Sequence, residues 1–476
     1  MATKEKKVSA NVLIKSSFWY TLSHFLTKAM AFITTPIFAR LLTKSEYGDF
    51  SVFASWQSIF LVICGLEVYA TLNRARFDYR GEEKINSYIS SCLVLSSTIT
   101  AIVFAAYFLF PKGFQKLFLL DHKYIFWMFA YIFTYPAIGM FQVKQRVEYR
   151  YRLNALLSFF LIITSSLLAV ALVYYNEKDR LMARISGQYG PYIVVGLVLY
   201  FYFLTKSRRI SFQAWRYAFV IAIPLAFSFL GSHILLSSDK VVVRHMCSSE
   251  EVALLGMATT CSHIILIFTQ ALNNAWSPWF YDKLDCKEYS TAKKSFNIYL
   301  WFVTVCTLCV LLVGPEILEI LGGKEYEAAR LILPVNMLCG VFTVLTSQFV
   351  NLETYYKKTH YSAVLTSIVT VVNIVLDILG VSIWGYQAAC YVTALCQILL
   401  ISLHYVFTLK MDVKNVMSLK SIVLCLIACL LLIPFNLLLY QNSAIRWTLI
   451  GLIAILVTIW LIIKREQIIY IIKRYR

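Results

Sequence analysis

An all-α protein that crosses a membrane many times is the fold class this sequence predicts, on three observations. Of its 476 residues, 59% are hydrophobic and only 14% are charged, whereas a soluble chain carries about 25% charged residues. The apolar residues come in blocks of roughly 20, the length an α-helix needs to cross ~30 Å of hydrocarbon. These blocks are continuously apolar and lack the period-two alternation of barrel strands, which excludes a β-barrel.

About fourteen spans follow one another, near residues 18–38, 51–72, 88–110, 124–142, 153–175, 185–204, 216–237, 253–275, 297–313, 331–351, 362–384, 387–408, 419–440 and 445–463. The fourth and ninth have the least clean ends. The polar start MATKEKKVSANVLIK resembles the n-region of a signal peptide. The stretch after it is long, lacks a small-residue cleavage site and contains Lys28, so it reads as a retained first helix. Most of the twelve cysteines lie within spans, so neither a disulfide framework nor a zinc site is supported. The connecting loops are short and none has room for a folded soluble domain. Function must therefore be built from helices.

The net charge of +19 is a topology signal. With the N-terminus in the cytoplasm, the inside segments hold about 30 of the 44 Lys and Arg residues and the outside loops about 13. Acidic residues divide almost evenly. Both termini are therefore expected in the cytoplasm, with the cationic loops against anionic lipid and no nucleic-acid partner.

A phrase recurs half a chain apart. RLLTKSEYGDFSVF (40–53) follows the first span and RHMCSSEEVALLGM (244–257) the seventh; in each, an arginine (Arg40, Arg244) precedes a glutamate (Glu46, Glu250) by six residues. Six spans separate the two copies, so two six-helix units would share one orientation, related by a pseudo-two-fold axis along the membrane normal. The expected organisation is two parallel six-helix lobes, residues 1–205 and 206–410, followed by two additional helices in 411–476.

The segments TTPIFARLLTKSEYGDFSVF (34–53), LSSDKVVVRHMCSSEEVALLG (236–256), ALNNAWSPWFYDK (271–283) and GGKEYEAARLILPV (322–335) together resemble the Wzx-type O-antigen and capsule repeat-unit flippases. These form the polysaccharide-transporter branch of the multidrug/oligosaccharidyl-lipid/polysaccharide exporter superfamily. The resemblance runs in family order from about residue 16 to about 400. It departs from the family at LLGMATT, where a Gly-Leu-Tyr-Ser-like run is usual. The resemblance implies a bacterial inner-membrane protein with two lobes around a central cavity and alternating access. It implies as substrate an oligosaccharide repeat unit linked through pyrophosphate to undecaprenol, for O-antigen, capsule or exopolysaccharide synthesis. A polysaccharide polymerase and a chain-length regulator are candidate partners on the same ground.

Charges inside spans single out candidate residues. A Lys at a helix centre costs about 2.5–3.5 kcal/mol on insertion scales, so Lys28 is expected to face a wet interior or a partner such as Glu67. It continues a polar stripe of Ser17, Thr21, His24 and Thr35 at helical spacing. Similar stripes run through Ser228, Ser232 and Asp239, with Lys240 following; through Asn336, Gly340, Thr343, Ser347 and Asn351; and through Thr366, Thr370, Asn373 and Asp377. Such neutral residues also serve as glue between membrane helices. For the substrate that the resemblance implies, Lys28 is the best-placed cation for pyrophosphate. Arg40, Arg146, Arg216, Lys240 and Arg244, nearer span ends, are candidates for an entrance or exit, because Arg and Lys suit phosphate as charged donors. Each also suits an interfacial residue that snorkels.

No GxxxxGK[ST] loop is present, so this chain does not use ATP. Glu67, Asp239 and Asp377, with His24, His233 and His263, are candidates to bind H+ or Na+ as access alternates. No other cofactor is expected, and Asp377→Asn is expected to shift the pH dependence of transport. Kinks are expected at Pro36, Pro136, Pro191, Pro224, Pro334 and Pro434. Two alternatives stay open: a cation-coupled multidrug antiporter of the same superfamily, and a membrane polysaccharide polymerase. The second lacks the sizeable outside loop and any catalytic set, so no enzyme activity is expected.

Overall fold

The computed structural model describes Trp19, Leu26 and residues 29–148, 150–207, 209–410 and 416–463. All regular structure among them is helical. Twelve helices are long and apolar enough to cross a membrane. The apolar helix α1 (Ala29–Leu41) and the final helix α17 (Ser443–Ile463) fall where the first and last spans are expected. Every expected span thus coincides with a helix.

Helices α2 (Lys44–Gly65) and α3 (Val68–Asp78) together make the second span, interrupted by two consecutive left-handed residues, Leu66 (φ 47°) and Glu67 (φ 50°). Such backbone is uncommon for residues with a Cβ. The break needs no proline and has no signature in the hydropathy of the span. The third span is α4 (Glu82–Leu109), followed by the short amphipathic α5 (Pro111–Phe118). Spans four to six are α6 (His122–Val147), α7 (Tyr151–Tyr175) and α8 (Arg180–Lys206).

The second half runs α9 (Phe212–Met246), α10 (Ser249–Asp285) and α11 (Tyr289–Leu312). Another short helix, α12 (Gly314–Gly322), and a 3-10 turn (Lys324–Leu331) precede α13 (Leu333–Tyr355), α14 (Thr359–Trp384) and α15 (Gln387–Lys410). Helices α16 (Leu419–Gln441) and α17 close the chain.

Packing pairs in the first half recur in the second. Helix α8 lies against α6 and α7 as α15 lies against α13 and α14. The α2–α3 span packs on α6 and α4 as α10 packs on α13 and α11. Even the short helices correspond, since α5 and α12 each follow the third span of their half and carry a proline in the first turn, Pro111 and Pro315. A proline there lacks only an N–H that the helix start leaves unpaired anyway.

The recurring phrase is the start of a helix in both halves. Thr43 caps α2 reciprocally with Glu46 (Thr43 N–H to Glu46 Oε2, 2.8 Å), and Ser248 caps α10 with Glu251 (Ser248 N–H to Glu251 Oε2, 2.9 Å). These capping boxes satisfy backbone donors that have no partner inside the helix. They also correct the register: the structural equivalent of Glu46 is Glu251, not Glu250. The prolines need one correction as well. Pro334 lies in the first turn of α13 and starts that helix, whereas Pro136, Pro191, Pro224 and Pro434 lie inside theirs, joined by Pro278 in α10.

Close approach between helices depends on missing side chains. A Cβ on Gly187 of α8 would sit 2.3 Å from the Ala169 Cα of α7, and one on Gly196 would sit 2.8 Å from the Thr134 carbonyl of α6. Helices α16 and α17 dock on the second half through the Tyr440 hydroxyl, which donates to the Leu311 carbonyl (2.8 Å), and through the buried Arg446, which pairs with Glu316 of α12. A buried pair of this kind fixes one arrangement more than it adds net stability.

Gly187→Val is expected to lower the melting temperature of the purified protein strongly, because overpacking a tight contact costs about 1–3 kcal/mol. Gly113→Ala, where a Cβ meets nothing within 4 Å, should leave it unchanged. Thermal size-exclusion chromatography of the two variants checks this.

Candidate functional site

Where the capping boxes lie, the two halves interlock. Asp49, in the first turns of α2, accepts hydrogen bonds from Arg244 Nε (3.1 Å) and Ser249 Oγ (2.6 Å) of the second half. The backbones meet almost without spacing, since a Cβ on Gly48 would lie 1.8 Å from the Ser249 carbonyl. Arg40 Nη2 donates to the Ile320 carbonyl (3.2 Å), and Tyr47 meets Tyr326 edge to face at 5.7 Å. Behind this junction Arg184 of α8 is buried among the rings of Phe50, Phe38 and Tyr47, 3.6, 4.4 and 5.0 Å from their centroids. Desolvated cation–π contacts of this kind contribute about 2 kcal/mol. Helix α9 is tied to the first half at its other end too: Tyr217 donates to Asp78 Oδ2 (2.5 Å), and Trp215 Nε1 donates to the Ser91 carbonyl (2.7 Å).

Within the second half, α9, α14 and α15 bring polar groups together. Ser238 Oγ donates to Asn373 Oδ1 (2.9 Å), Asn373 Nδ2 reaches Thr393 Oγ1 (3.5 Å), and Thr393 donates to Asp239 Oδ2 (2.9 Å). The carboxylates of Asp239 and Asp377 face each other. Asp377 is 0% exposed, and Asp239 Oδ1 and both Asp377 oxygens are buried without a hydrogen-bond partner among the described residues. Two adjoining carboxylates out of water cannot both remain charged without a cation or proton between them. The oxygens of Asp239, Asp377, Asn373 and Thr393 are the hard donors that a small cation prefers. Lys240 adjoins Asp239, and Asn336 donates from α13 to Cys390 Sγ (3.1 Å).

In the first half Glu67 occupies the α2–α3 break, buried, with the Tyr69 hydroxyl facing its carboxylate. From there a run of rings crosses the half: Tyr69 to Tyr135 (6.3 Å), Tyr135 to Tyr131 (5.2 Å) and Tyr131 to Tyr189 (4.8 Å). Gly139 leaves the space that Tyr69 fills, its would-be Cβ lying 2.7 Å from that ring.

The structure therefore groups Asp239, Lys240, Asn373 and Asp377, with Asn336 one residue layer away. It sets Arg40 and Arg244 together at the interlocked end. Arg146 and Arg216 are exposed on the last turn of α6 and the early turns of α9, toward the other end. Glu67 stands apart in the first half, and Lys28 and His24 lie outside the described residues.

The neutral stripe of α13 is interhelical glue: Thr343 reaches Gln397 of α15 at 3.5 Å, and Asn351 donates to Asn273 of α10 at 3.0 Å. A buried Glu353–His404 pair (2.6 Å, both 0% exposed) links α13 to α15 beneath the Phe349 ring. No spacing in the sequence singles it out, because its partners are 51 residues apart. Arg184 escaped notice likewise, because a cation immediately before the expected span 185–204 reads as interfacial.

The fold places the chain in a class. It superposes on the lipid II flippase MurJ in an inward closed conformation with a TM-score of 0.68, at 15% identity, covering 94% of this chain and 99% of that one. It superposes on an inward-facing multidrug resistance MATE transporter of the MOP superfamily at 0.62, with 12% identity and coverage of 82% and 95%. The architecture is thus that of the multidrug/oligosaccharidyl-lipid/polysaccharide exporters. Within that class the sequence pattern of the polysaccharide biosynthesis proteins matches residues 13–283, over half of the chain, and the MatE pattern matches 224–379. The chain belongs to the polysaccharide biosynthesis protein family, of flippase type. A Haemophilus influenzae protein of the Lsg locus is 21% identical over 378 residues, 76% of this chain and 90% of that relative.

Removing the acceptor shared by Arg244 and Ser249 should loosen the interlocked end. In a background without the twelve native cysteines, a cysteine at Ser51 is expected to react with a maleimide several-fold faster once Asp49→Ala is added. Loss of a largely buried ion pair and its hydrogen bonds, about 1 kcal/mol, corresponds to that change.

Proposed function

We propose that this protein flips undecaprenyl-pyrophosphate-linked oligosaccharide repeat units across the bacterial inner membrane, for O-antigen, capsule or exopolysaccharide assembly, by alternating access. The family match through residues 13–283 carries the reading. The two repeated halves, 1–205 and 206–410, act as lobes that part at one end while closing at the other. The Lys/Arg distribution puts the interlocked end on the outside and both termini in the cytoplasm. The arrangement read here is accordingly closed outward by Asp49, Arg244, Ser249 and the Arg40–Ile320 contact.

A cationic path serves the pyrophosphate: Lys28 within the first span, Arg146 and Arg216 toward the cytoplasmic entrance, and Arg40 and Arg244 toward the exit. Arginine donates in a planar fork suited to phosphate oxygens. Polymerase and chain-length regulator would act on the delivered product.

Coupling is assigned to the Asp239–Asp377 pair. Three orphaned carboxylate oxygens beside Asn373 and Thr393 favour Na+ over a single shared proton, since a shared proton engages two oxygens and a cation can engage all three. The ion neutralises the pair and holds α9 against α14 and α15. Because α9 also carries Arg244, the ion's presence is felt at the outer junction.

A strain deleted for the gene is expected to accumulate a single lipid-linked repeat unit on the cytoplasmic leaflet, cleared by the intact chain and not by Asp377→Asn. Absence of that lipid would refute the flippase reading and direct attention to drug transport. Separately, replacing K+ by Na+ at constant ionic strength should raise the melting temperature of the purified protein, and Asp239→Asn or Asp377→Asn should abolish the increment. A stabilisation that follows pH and ignores Na+ would assign the site to a proton.

A further inference from the structure

A seam along the lipid-facing flank of α7 holds two grooves, one at each end. The first, about 770 Å³, is lined by Trp19, Tyr151, Arg152, Ala155, Leu156, Phe159 and Phe160. The second, about 620 Å³, lies between Ile37, Arg40 and Leu41 of α1 and Leu167, Val170, Ala171, Tyr174 and Tyr175 of α7. Both are apolar in their depth. Each ends at an arginine flanked by aromatic residues of the kind that settle at a membrane interface: Arg152 with Trp19 and Tyr151, Arg40 with Tyr174 and Tyr175. The 25 residues of α7 extend over about 38 Å at 1.5 Å per residue, so the two rims lie at opposite interfaces.

Neither arginine is used up. Arg152 is exposed and makes no hydrogen bond or ion pair with a described residue. Arg40 gives one hydrogen bond from Nη1 to the Pro36 carbonyl and one from Nη2 to the Ile320 carbonyl, leaving three of the five guanidinium hydrogens. Between the grooves Leu161 and Ile162 are buried while Ile163 stays open to lipid.

We propose that this α7 seam is the track of the transported lipid's hydrocarbon chain: the chain rests in the Trp19–Phe160 groove with its pyrophosphate on Arg152 before translocation, and in the Ile37–Tyr175 groove with its pyrophosphate on Arg40 after it. This rests on the flippase reading and adds where the chain is held. Charge and apolar lining suit an anionic headgroup on a long hydrocarbon. The choice of the transported lipid over a resident phospholipid follows from the duplication. A resident lipid gives no reason for the same chemistry at both ends of one seam, whereas a lipid that occupies each leaflet in turn requires it. The tail then never leaves hydrocarbon while the head group passes between the lobes.

The test uses the full chain in nanodiscs of phosphatidylethanolamine and phosphatidylglycerol containing a small fraction of undecaprenyl pyrophosphate. A photoreactive benzoylphenylalanine is placed at Leu156, at Leu167 and, as a control, at Val371, which faces lipid on α14. Mass spectrometry of the adducts should show undecaprenyl pyrophosphate enriched over its membrane fraction at both seam positions and not at the control. Arg152→Gln should reduce capture at 156, and Arg40→Gln capture at 167, each by about tenfold, the loss of one charge-assisted contact. Adducts that mirror the bulk composition at all three positions, or that contain phosphatidylglycerol alone at the seam, would overturn the proposal. If the deletion strain accumulates the lipid-linked unit and the seam captures only phospholipid, the track falls and the flippase reading stands. If the strain accumulates nothing, the flippase reading falls first.

Discussion

Hydrocarbon tolerates neither unpaired backbone groups nor unpaired charge, and most of this structure follows from that constraint. The backbone meets it through helices, which make up all the regular structure of the described residues. Charge meets it by pairing: Asp49 with Arg244, Glu316 with Arg446, Glu353 with His404, and Arg184 with aromatic faces. Pairing is incomplete at Asp239 and Asp377, where Lys240 adjoins only Asp239 and three carboxylate oxygens have no hydrogen-bond partner among the described residues.

Much of the fold was legible because hydropathy reports burial in lipid directly. Each expected span coincides with a helix, and the weak echo of residues 40–53 at 244–257 marks two capping boxes at equivalent places. The echo was off by one residue because Arg40 and Arg244 match by eye while the cap geometry is set by Thr43–Glu46 and Ser248–Glu251. What escaped was tertiary. The αL break at Leu66–Glu67 carries no Pro or Gly at the turn itself, and the Glu353–His404 pair joins helices by a contact that no periodicity encodes. Asp239, Asn373 and Asp377 were visible individually as polar residues in apolar spans. That they share one site with Thr393 was not, because helix rotation is fixed by packing and not by composition.

Helix α9 connects the parts. Its start is held to α3 and α4 by Tyr217 and Trp215, its later turns carry Asp239, and its last turn carries Arg244 against Asp49. Any ion-dependent shift of Asp239 is transmitted along one continuous helix to the junction of the two halves. Of the alternatives, the drug antiporter shares this architecture, and the match to the polysaccharide biosynthesis proteins over residues 13–283 is the observation that favours the flippase.

The most direct test of this account is the distance between the two halves at their interlocked end. Spin labels at Lys112→Cys, in the first turn of α5, and Lys324→Cys, in the 3-10 turn, report it by pulsed electron spin resonance in a background without native cysteines; both positions are exposed. The account predicts two distance populations, a short one matching the closed junction and a longer one, whose ratio changes between Na+ and K+. A single distance, unmoved by Na+, by pH and by Asp49→Ala, would contradict it.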